Sequence, residues 1–454
     1  MSAAGKTMDM GHVVDDGPFS PVQKMAVVLA SLAAVMDGFD GQLIGFAVPA
    51  ILSEWNVTRE AFAPVVAAGL FGMAIGSVSV GAVADRIGRR IALIASVCVF
   101  GIASFAMSCS SSLIELAAFR FLAGLGIGGA LPTASIIAAE FTPARFRTMA
   151  VTATVVCYPV GGILAGLLSA SVLPGFGWRA LFVVGGILPL VFALLLALTL
   201  HETPRYLARR AHRQDELKAL IARICGSFQE GVRFIDATAV AVGADTGLAK
   251  LFTAHWIRDT AALSGSFFMC LLALYSAYSW LPAMLSFEGM DLSIAASGLT
   301  AYNAGGLIGA ILSAWLVSRI GSRITLATAA IGAMLSAVLL QALYSQTTTA
   351  GFIIGIGVHG FFVNAVQGPM YAVGTHIYPT EIRARGVGAA TAFGRLGAIA
   401  SAFAGAGIIS AGGAAAYFSL LAVAMFLVLV CVCAIGNHIP PAGSSLDAAV
   451  VSAE

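Results

Sequence analysis

Long apolar runs separated by short polar segments dominate the hydrophobic pattern of the chain. A helix needs about 20 mostly apolar residues to cross a bilayer, and twelve runs have that character. Their edges lie near residues 22–51, 61–84, 90–109, 113–139, 147–172, 180–199, 258–285, 294–317, 324–345, 350–377, 386–408 and 412–436. The pattern therefore predicts an all-α integral membrane protein with twelve transmembrane helices.

One polar stretch, residues 200–257, divides these spans six and six. Within it Leu217, Leu220, Ile221 and Ile224 recur at helical spacing opposite charged neighbours, which predicts an amphipathic helix. The predicted organisation is an N-terminal tail, a first six-helix bundle, this central loop, a second six-helix bundle and a C-terminal tail. Their ranges are 1–21, 22–199, 200–257, 258–436 and 437–454.

Composition excludes a water-soluble fold. Of the 454 residues, 59% are hydrophobic and only 10% are charged, against about 25% charged residues in ordinary soluble domains. A net charge of +2 gives no electrostatic basis for a nucleic-acid partner. No P-loop or metal-ligand spacing occurs, and the seven cysteines make no cluster. We therefore expect no bound metal, no cofactor and no enzymatic activity.

The distribution of positive charge predicts the orientation. With an even number of spans both termini lie on one side. If that side is the cytoplasm, twenty of the 24 Lys and Arg residues lie in cytoplasmic segments. Only Arg59 and Arg179 fall outside, while Arg120 and Arg395 lie within spans. This bias predicts cytoplasmic termini. The first 21 residues lack the features of a cleaved signal peptide, so we expect a bacterial inner-membrane protein inserted by its first span.

Short basic motifs recur in the two halves. Arg86, Gly88 and Arg90, after span two, match Arg319, Gly321 and Arg323, after span eight, at one constant offset. Arg145 and Arg147 match Arg383 and Arg385 at nearly the same offset. These echoes predict an internally duplicated transporter whose binding site lies near the midplane between the halves.

The segment from Gly81 to Arg90 resembles the signature between spans two and three of the major facilitator superfamily. The resemblance implies two six-helix bundles with inverted repeats, and a charged latch that holds one face closed. In this latch Gly81 would allow close helix contact, Asp85 would accept hydrogen bonds from a helix N-terminus, and Gly88 would permit a tight turn. Ser318 replaces the expected acid in the second copy, which should weaken the latch there. The full predicted latch comprises Gly81, Asp85, Arg86, Gly88, Arg89, Arg90, Glu140, Arg319, Arg383 and Arg385.

Within that superfamily the chain resembles the aromatic acid–proton symporters, which include transporters of the 4-hydroxybenzoate and protocatechuate type. The similarity rests on the acidic motif Asp37–Asp40, on Arg120 and its Gly-rich surroundings, and on Glu202–Leu207. It also rests on Tyr378–Arg383 and on Gly394–Gly397. The resemblance implies a monomeric carrier that imports a small monocyclic aromatic carboxylate with protons for aromatic catabolism. The proton is the only coupling ion that it implies.

The acids of span one are the first candidates for proton coupling. Asp37 and Asp40 are three residues apart and share a helix face, and charged groups within a bilayer are costly and usually functional. Either carboxyl is a candidate to bind the coupling proton, and Arg120 is expected to pair with an acid of this span. The alternative is that both acids brace a helix broken at Gly38 and Gly41.

A second set of residues forms the candidate substrate site. Arg395 suits a substrate carboxylate because its guanidinium presents a fork of donors. Asn364, Gln367 and Tyr371 give span ten one polar face, which either binds substrate or bonds to other helices. The rings expected to flank an aromatic ligand are those of Phe39, Tyr302 and Phe393. Tyr275 and Tyr278 are further aromatic candidates, whereas Trp280 is predicted to be an interface anchor.

Rival functions remain open at this point. The same fold would serve a transporter of another organic acid or a sugar-like solute, or an exporter. A membrane receptor that binds without transporting is a second class, although no appended signalling domain is evident. A membrane enzyme is a third, and no catalytic cluster supports it.

Overall fold

The computed structural model of the chain describes residues 7–225, 233–235, 251, 253, 255–343 and 348–441. The ends of both predicted tails and much of the central loop beyond residue 225 lie outside the described residues. Of the described chain, nearly all is helical. The helices are α1 Met10–Asp15, α2 Pro21–Trp55, α3 Arg59–Ile87, α4 Arg89–Met107, α5 Leu113–Phe141, α6 Ala144–Thr199, α7 Pro204–Ala208, α8 Gln214–Cys225, α9 Ile257–Phe287, α10 Leu292–Ile320, α11 Ser322–Leu343, α12 Thr349–Ile377 and α13 Thr380–Ala434.

Ten helices in the described residues are long and apolar enough to cross a membrane. Two of them, α6 with 56 residues and α13 with 55, are interrupted by residues with non-helical dihedral angles, Gly177 in α6 and Gly412 and Gly413 in α13. At 1.5 Å per residue each would be roughly 80 Å long, more than twice the hydrocarbon thickness of about 30 Å. Each therefore crosses twice, and the fold contains the twelve predicted spans.

The break at Gly177 falls between the predicted fifth and sixth spans, and that at Gly412 begins the predicted twelfth. Gly177 and Gly413 have φ angles of 73° and 58°. L-residues with a side chain rarely adopt such angles, whereas glycine does so at little cost. These two glycines thus permit sharp turns between consecutive spans. In the apolar pattern the turns were visible only as short intervals between hydrophobic runs.

The described part of the central loop contains a short helix and one strand of a two-stranded pair. Helix α8 buries Leu217, Leu220, Ile221 and Ile224, the four apolar residues of the amphipathic pattern. Strand β1, Thr7–Asp9, pairs in parallel with strand β2, Arg233–Ile235. This pairing joins the N-terminal segment to the central loop.

By packing, the chain forms two units. One comprises residues 1–41, 71–161 and 182–244, and the other residues 42–70, 162–181 and 245–454. This grouping cuts through α2, α3 and α6. The predicted boundaries of the two six-helix bundles stay a prediction.

Glycines account for the close packing of helices in the second unit. A Cβ at Gly305 of α10 would meet the carbonyl oxygen of Gly357 in α12, and one at Gly309 would meet that of Phe361. Small residues allow backbones to approach in this way where helices associate in lipid. Trp280 also lies in a glycine contact, fully buried against Gly405. The prediction that Trp280 is an interface anchor was therefore wrong.

Candidate functional site

The two acids of α2 are both buried, with exposed fractions of 2% for Asp37 and 0% for Asp40. The hydroxyl of Ser104, on α4, donates a hydrogen bond to Oδ1 of Asp40. Oδ2 of Asp40 is buried and has no hydrogen-bond partner within the described ranges. Asp40 thus presents one oxygen held by a donor and one oxygen on which a proton can reside.

Arg120, on α5, lies beside this acid. Its Nη2 donates to the carbonyl oxygen of Gly41 at 2.7 Å, and its Nη1 to that of Asp40 at 3.5 Å. The guanidinium therefore reaches the backbone of α2 at the position of the second acid. Its pairing with a carboxyl group of span one stays a prediction. The side chain is 5% exposed, so it does not extend to lipid phosphate or bulk water.

Helix α2 is continuous from Pro21 to Trp55 and passes through Gly38 and Gly41 without a break. The alternative in which Asp37 and Asp40 brace a broken helix rests on a wrong premise. Instead, a Cβ at Gly38 would meet the carbonyl oxygen of Tyr158 in α6, and one at Gly41 would lie 3.1 Å from the Tyr158 hydroxyl. Phe39, between the acids, is buried.

Arg395, on α13, is half-buried and donates from Nη1 to the hydroxyl of Tyr275 on α9 at 3.1 Å. Tyr371, on α12, lies near Gln367 of the same helix and near Arg395 and Tyr275. These four residues, Arg395, Tyr275, Tyr371 and Gln367, form what we call the arginine–tyrosine cluster. Its members are partly exposed to exposed.

Aromatic rings continue from this cluster. The Tyr371 ring lies edge-on to Phe267 with centroids 5.0 Å apart. The exposed ring of Phe393 lies 5.4 Å from that of Phe268. The structure therefore brings the predicted residues Gln367, Tyr371, Phe393 and Arg395 into one aromatic region of α9, α12 and α13. Tyr275, which the sequence offered only as a further aromatic candidate, lies in the same region.

Tyr302 and Asn364 lie deeper. The Tyr302 ring is 6.0 Å from that of Tyr278 and 6.1 Å from that of His359, and its buried hydroxyl has no hydrogen-bond partner in the described part of the chain. Asn364 donates to the carbonyl of Gly360 in its own helix at 3.0 Å and packs where a Cβ on Gly306 would lie. Asn364 thus packs against α10, while its hydrogen bond stays within α12. Its role in substrate binding or in bonding to other helices stays a prediction.

In the predicted latch, Arg89 is the central residue. Its guanidinium contacts Asp85 at 2.7 Å and Glu140 at 3.6 Å, and its side chain is only 8% exposed. Gly88 adopts a φ of 107°, so the tight turn is present. A Cβ at Gly81 would meet nothing within 4 Å, so the expected close helix contact at Gly81 was wrong for this structure.

The acid at the N-terminus of α4 is not Asp85, as expected, but Glu202. Its Oε1 accepts hydrogen bonds from the backbone N–H groups of Arg89 at 3.0 Å and Arg90 at 3.1 Å. A carboxylate there satisfies amides that lack helical partners and complements the positive end of the helix dipole. Tyr206 and Arg210 bind the carbonyl oxygen of Arg86, at 3.0 and 2.8 Å.

The second copy repeats the backbone but not the charges. Gly321 has a φ of 83°, like Gly88, before the N-terminus of α11. There Ser322 exchanges hydrogen bonds with the backbone of Ile439, at 2.9 and 2.8 Å, and its hydroxyl lies 3.2 Å from Nδ1 of His438. The chain that follows span twelve thus holds α11, as Glu202 after span six holds α4.

The remaining basic residues of the predicted latch lie near the surface. Arg319 stacks over the Trp315 ring at 5.6 Å from its centroid, Arg383 donates to the carbonyl oxygen of Tyr378 at 3.2 Å, and Arg385 is exposed. In the other copy Arg147 forms an ion pair with Asp15 of α1. The N-terminal segment is therefore attached to the basic motif before span five.

The sequence profile of the Major Facilitator Superfamily matches residues 30–340 and 263–450. The chain belongs to this superfamily. A gallate transporter of Pseudomonas putida is 32% identical over 431 residues, which is 95% of this chain and 95% of the relative. The 4-hydroxybenzoate transporter PcaK of Acinetobacter baylyi is 32% identical over 406 residues, 88% of each chain. The inward-open xylose transporter XylE of E. coli matches with a TM-score of 0.74 and 18% identity, over 94% of this chain and 98% of that one.

Membership of the superfamily confirms the predicted resemblance and the fold. The chain is a multi-pass membrane transporter and not an enzyme, because its relatives over most of its length are transporters of aromatic acids. The roles of the individual site residues remain predictions.

Sequence reasoning missed several residues that the structure brings forward. Glu202 was identified only as part of a shared motif, and its target on α4 lies 113 residues away. Gln42 and Asn303, which hydrogen-bond to one another across 261 residues, were not singled out at all. The only signal for them was a polar side chain inside an apolar run.

Proposed function

We propose that this protein is a proton-coupled symporter that imports a small monocyclic aromatic carboxylate of the hydroxybenzoate or protocatechuate kind. It would act as a monomer in the bacterial inner membrane, with both termini in the cytoplasm. The observation that carries the substrate class is the arginine–tyrosine cluster, in a chain whose relatives are named for gallate and 4-hydroxybenzoate.

In this proposal Arg395 binds the substrate carboxylate. A guanidinium has five N–H donors in a planar fork, and one of them is bonded to the Tyr275 hydroxyl. Such a fixed, charged fork suits a two-oxygen anion. Gln367 and Tyr371 supply hydrogen-bonding groups beside it for the ring hydroxyls, and the exposed ring of Phe393 supplies apolar surface for the substrate ring.

Asp40 carries the coupling proton in this proposal, with Asp37 as the neighbouring acid. A carboxyl with no access to water is more stable when neutral unless a cation compensates its charge. Ser104 donates to one oxygen of this carboxyl group, and the other oxygen is buried with no hydrogen-bond partner in the described residues. This second oxygen takes up and releases the coupling proton during the cycle.

The cycle that follows is alternating access. A proton neutralises Asp40 in the outward-facing state, the carboxylate binds to Arg395, the two bundles rock, and both cargoes leave on the cytoplasmic side. The latch residues Arg89, Asp85, Glu140 and Glu202 separate and reunite as the cytoplasmic face opens and closes.

The decisive experiment is uptake into proteoliposomes with an imposed proton gradient. The panel should contain gallate, 4-hydroxybenzoate, benzoate, an aliphatic acid and xylose. The proposal expects hydroxylated benzoates to accumulate and a protonophore to abolish accumulation. Accumulation of only the aliphatic acid or xylose would contradict the aromatic assignment. Saturable binding of a benzoate without accumulation would instead indicate a receptor.

A further inference from the structure

Gln42 and Asn303 form a reciprocal pair of amides. Nε2 of Gln42 donates to Oδ1 of Asn303 at 3.1 Å, and Nδ2 of Asn303 donates to Oε1 of Gln42 at 2.7 Å. The second amide also donates to the carbonyl oxygen of Leu299 in its own helix at 2.9 Å. Each side chain is only 1% exposed. The pair links α2, in the first predicted bundle, to α10, in the second.

Both residues belong to the same packing unit, which joins the later part of α2 and the middle of α6 to the helices that follow residue 257. By the predicted topology, these parts of α2 and α6 lie toward the non-cytoplasmic face. The contacts around the pair are therefore contacts of that face.

Glycines hold the backbone close to the amide pair. A Cβ at Gly162 of α6 would overlap the amides of both Gln42 and Asn303. A Cβ at Gly45 of α2 would meet the carbonyl oxygen of Tyr278 in α9, and one at Gly166 of α6 would meet the Thr300 hydroxyl in α10. The pair therefore lies in a tightly packed seam between α2 and α6 on one side and α9 and α10 on the other.

A seam of this kind has to separate if a carrier is to admit solute from the non-cytoplasmic face. Apolar packing alone would close it with little dependence on register. A buried amide pair adds register, because each amide left alone in an apolar environment loses its hydrogen bonds without compensation. Two matched amides therefore favour one closed arrangement over partly open ones.

We infer that Gln42 and Asn303 form the polar lock of the non-cytoplasmic gate, and that their two hydrogen bonds break each time this gate opens. Neither residue needs to touch the substrate for this role. The inference does not depend on the identity of the substrate.

The test uses a reporter cysteine in the seam and requires no transport. Thr300→Cys, in a background without native cysteines, is labelled with a membrane-impermeant maleimide added outside right-side-out vesicles. Gln42→Ala and Asn303→Ala should each raise the labelling rate about three- to tenfold, where tenfold corresponds to about 1.4 kcal/mol. The double variant should exceed neither single variant by much, because both remove the same interaction.

Two further variants separate a lock from general loosening. Thr154→Val removes the hydrogen bond at 3.1 Å between Ser31 of α2 and Thr154 of α6. That bond joins two helices of the first predicted bundle, so its loss should leave the labelling rate unchanged. The exchange Gln42→Asn with Asn303→Gln keeps the summed side-chain length and should return the rate toward that of the reporter protein.

Unchanged labelling in Gln42→Ala, or an equal rise in Thr154→Val, would overturn the inference. Should Asn303→Ala fail to reach the membrane, Gln42→Ala carries the test alone, because it breaks the same pair and leaves the Asn303–Leu299 bond in place.

Discussion

Two arginines within the spans meet different partners. Arg120 is buried and donates to backbone carbonyl oxygens of α2, whereas Arg395 is half-buried and donates to a tyrosine hydroxyl. Backbone carbonyls cannot be exchanged for an anion without opening the helix contact. The guanidinium of Arg395 can bind a ligand while it keeps its bond to the tyrosine hydroxyl. Substitutions of the two arginines should therefore have different effects.

Arg395→Lys should raise KM for 4-hydroxybenzoate at least tenfold. An ammonium keeps the charge but not the planar fork, and loss of a bidentate charged contact typically costs 2 kcal/mol or more, which is about thirtyfold. Concentration-dependent uptake into proteoliposomes measures the change. Arg223→Lys, at an exposed position of α8, is the matched control and should leave KM unchanged. An unaltered KM in Arg395→Lys would exclude Arg395 from carboxylate binding.

Asp40→Asn should abolish uphill accumulation but retain exchange of labelled for unlabelled substrate. The amide has nearly the shape of the neutral acid, so the protonated step is mimicked, but no proton can leave. The comparison is between gradient-driven uptake and counterflow in the same proteoliposomes. Ser104→Ala, which removes only the hydroxyl bound to Asp40, should keep accumulation. Gradient-driven accumulation by Asp40→Asn would exclude Asp40 as the proton carrier.

Some site residues could be predicted from the sequence and others could not. Asp37, Asp40, Arg120 and Arg395 stand out because a charge inside an apolar run is rare and costly. Amides and hydroxyls cost less within a span, so Gln42 attracts little notice. Its partner, Asn303, is 261 residues away in the chain. The two amides meet only because of the way α10 is rotated about its axis, and no local sequence pattern determines that rotation.

Among the elements, α4 and α11 begin in matching ways. Each follows a glycine of positive φ, and each has its first amides engaged by chain that follows the last span of its half. The first half uses a carboxylate, Glu202, and the second uses Ser322 with the backbone of Ile439. The expectation of a weaker latch in the second half, drawn from Ser318, stays a prediction.

Glu202→Ala should destabilise the protein by about 0.5–2 kcal/mol, the usual cost of losing a helix N-cap. Two backbone N–H groups of α4 lose their acceptor, and the positive end of the helix loses its counter-charge. Thermal unfolding in detergent gives the change. Glu216→Ala, which breaks an exposed pair with Arg213 at 2.7 Å, should have a smaller effect. Equal effects of the two variants would contradict the capping role.

Acidification should loosen the end of the second half through His438. Burial lowers the pKa of His438, and nearby Arg323 and His376 lower it further. The hydrogen bond to Val432 and the charge of Asp259 act in the opposite direction without reversing the shift. The folded protein thus binds a proton less readily than the unfolded chain. His438 therefore contributes stability at neutral pH, which is lost as pH falls below the ordinary histidine pKa of about 6.5.

Replacing His438 by Gln should remove part of the decline in thermal stability between pH 7 and pH 5. His212→Gln is the matched control, because His212 is exposed in the central loop. If both variants retain the full decline, another group is responsible.

At the scale of the whole molecule, the twelve spans could be predicted because the bilayer sets the length of an apolar run. A helix satisfies its backbone hydrogen bonds internally, as a segment in lipid must. The helices extend beyond those runs: α2 is Pro21–Trp55 where the pattern indicated 22–51. Polar residues at the ends continue a helix into the interface, where hydropathy no longer marks it. Which helices pack together had no signal in hydropathy, because both the outer and the packed faces of these helices are mostly apolar.

The sidedness of the turns is open to a direct test. In a cysteine-free background, Gly175→Cys, beside the break in α6, should react with an impermeant maleimide added to intact cells. Arg209→Cys, in the central loop, should react only after permeabilisation. Both positions are exposed, so access alone separates them. Labelling of both, or of Arg209→Cys alone, in intact cells would contradict the predicted topology.

The bond between Glu202 and α4 also bears on biosynthesis. The ribosome makes the N-terminus of α4 well before its acceptor, and the 113 residues between them take about 6–23 s at ordinary translation rates. During this interval the nascent chain holds α4 without its carboxylate, while spans four to six are being made. The N-terminus of α4 can receive its carboxylate only after the sixth span has left the ribosome, so this contact forms late in co-translational folding.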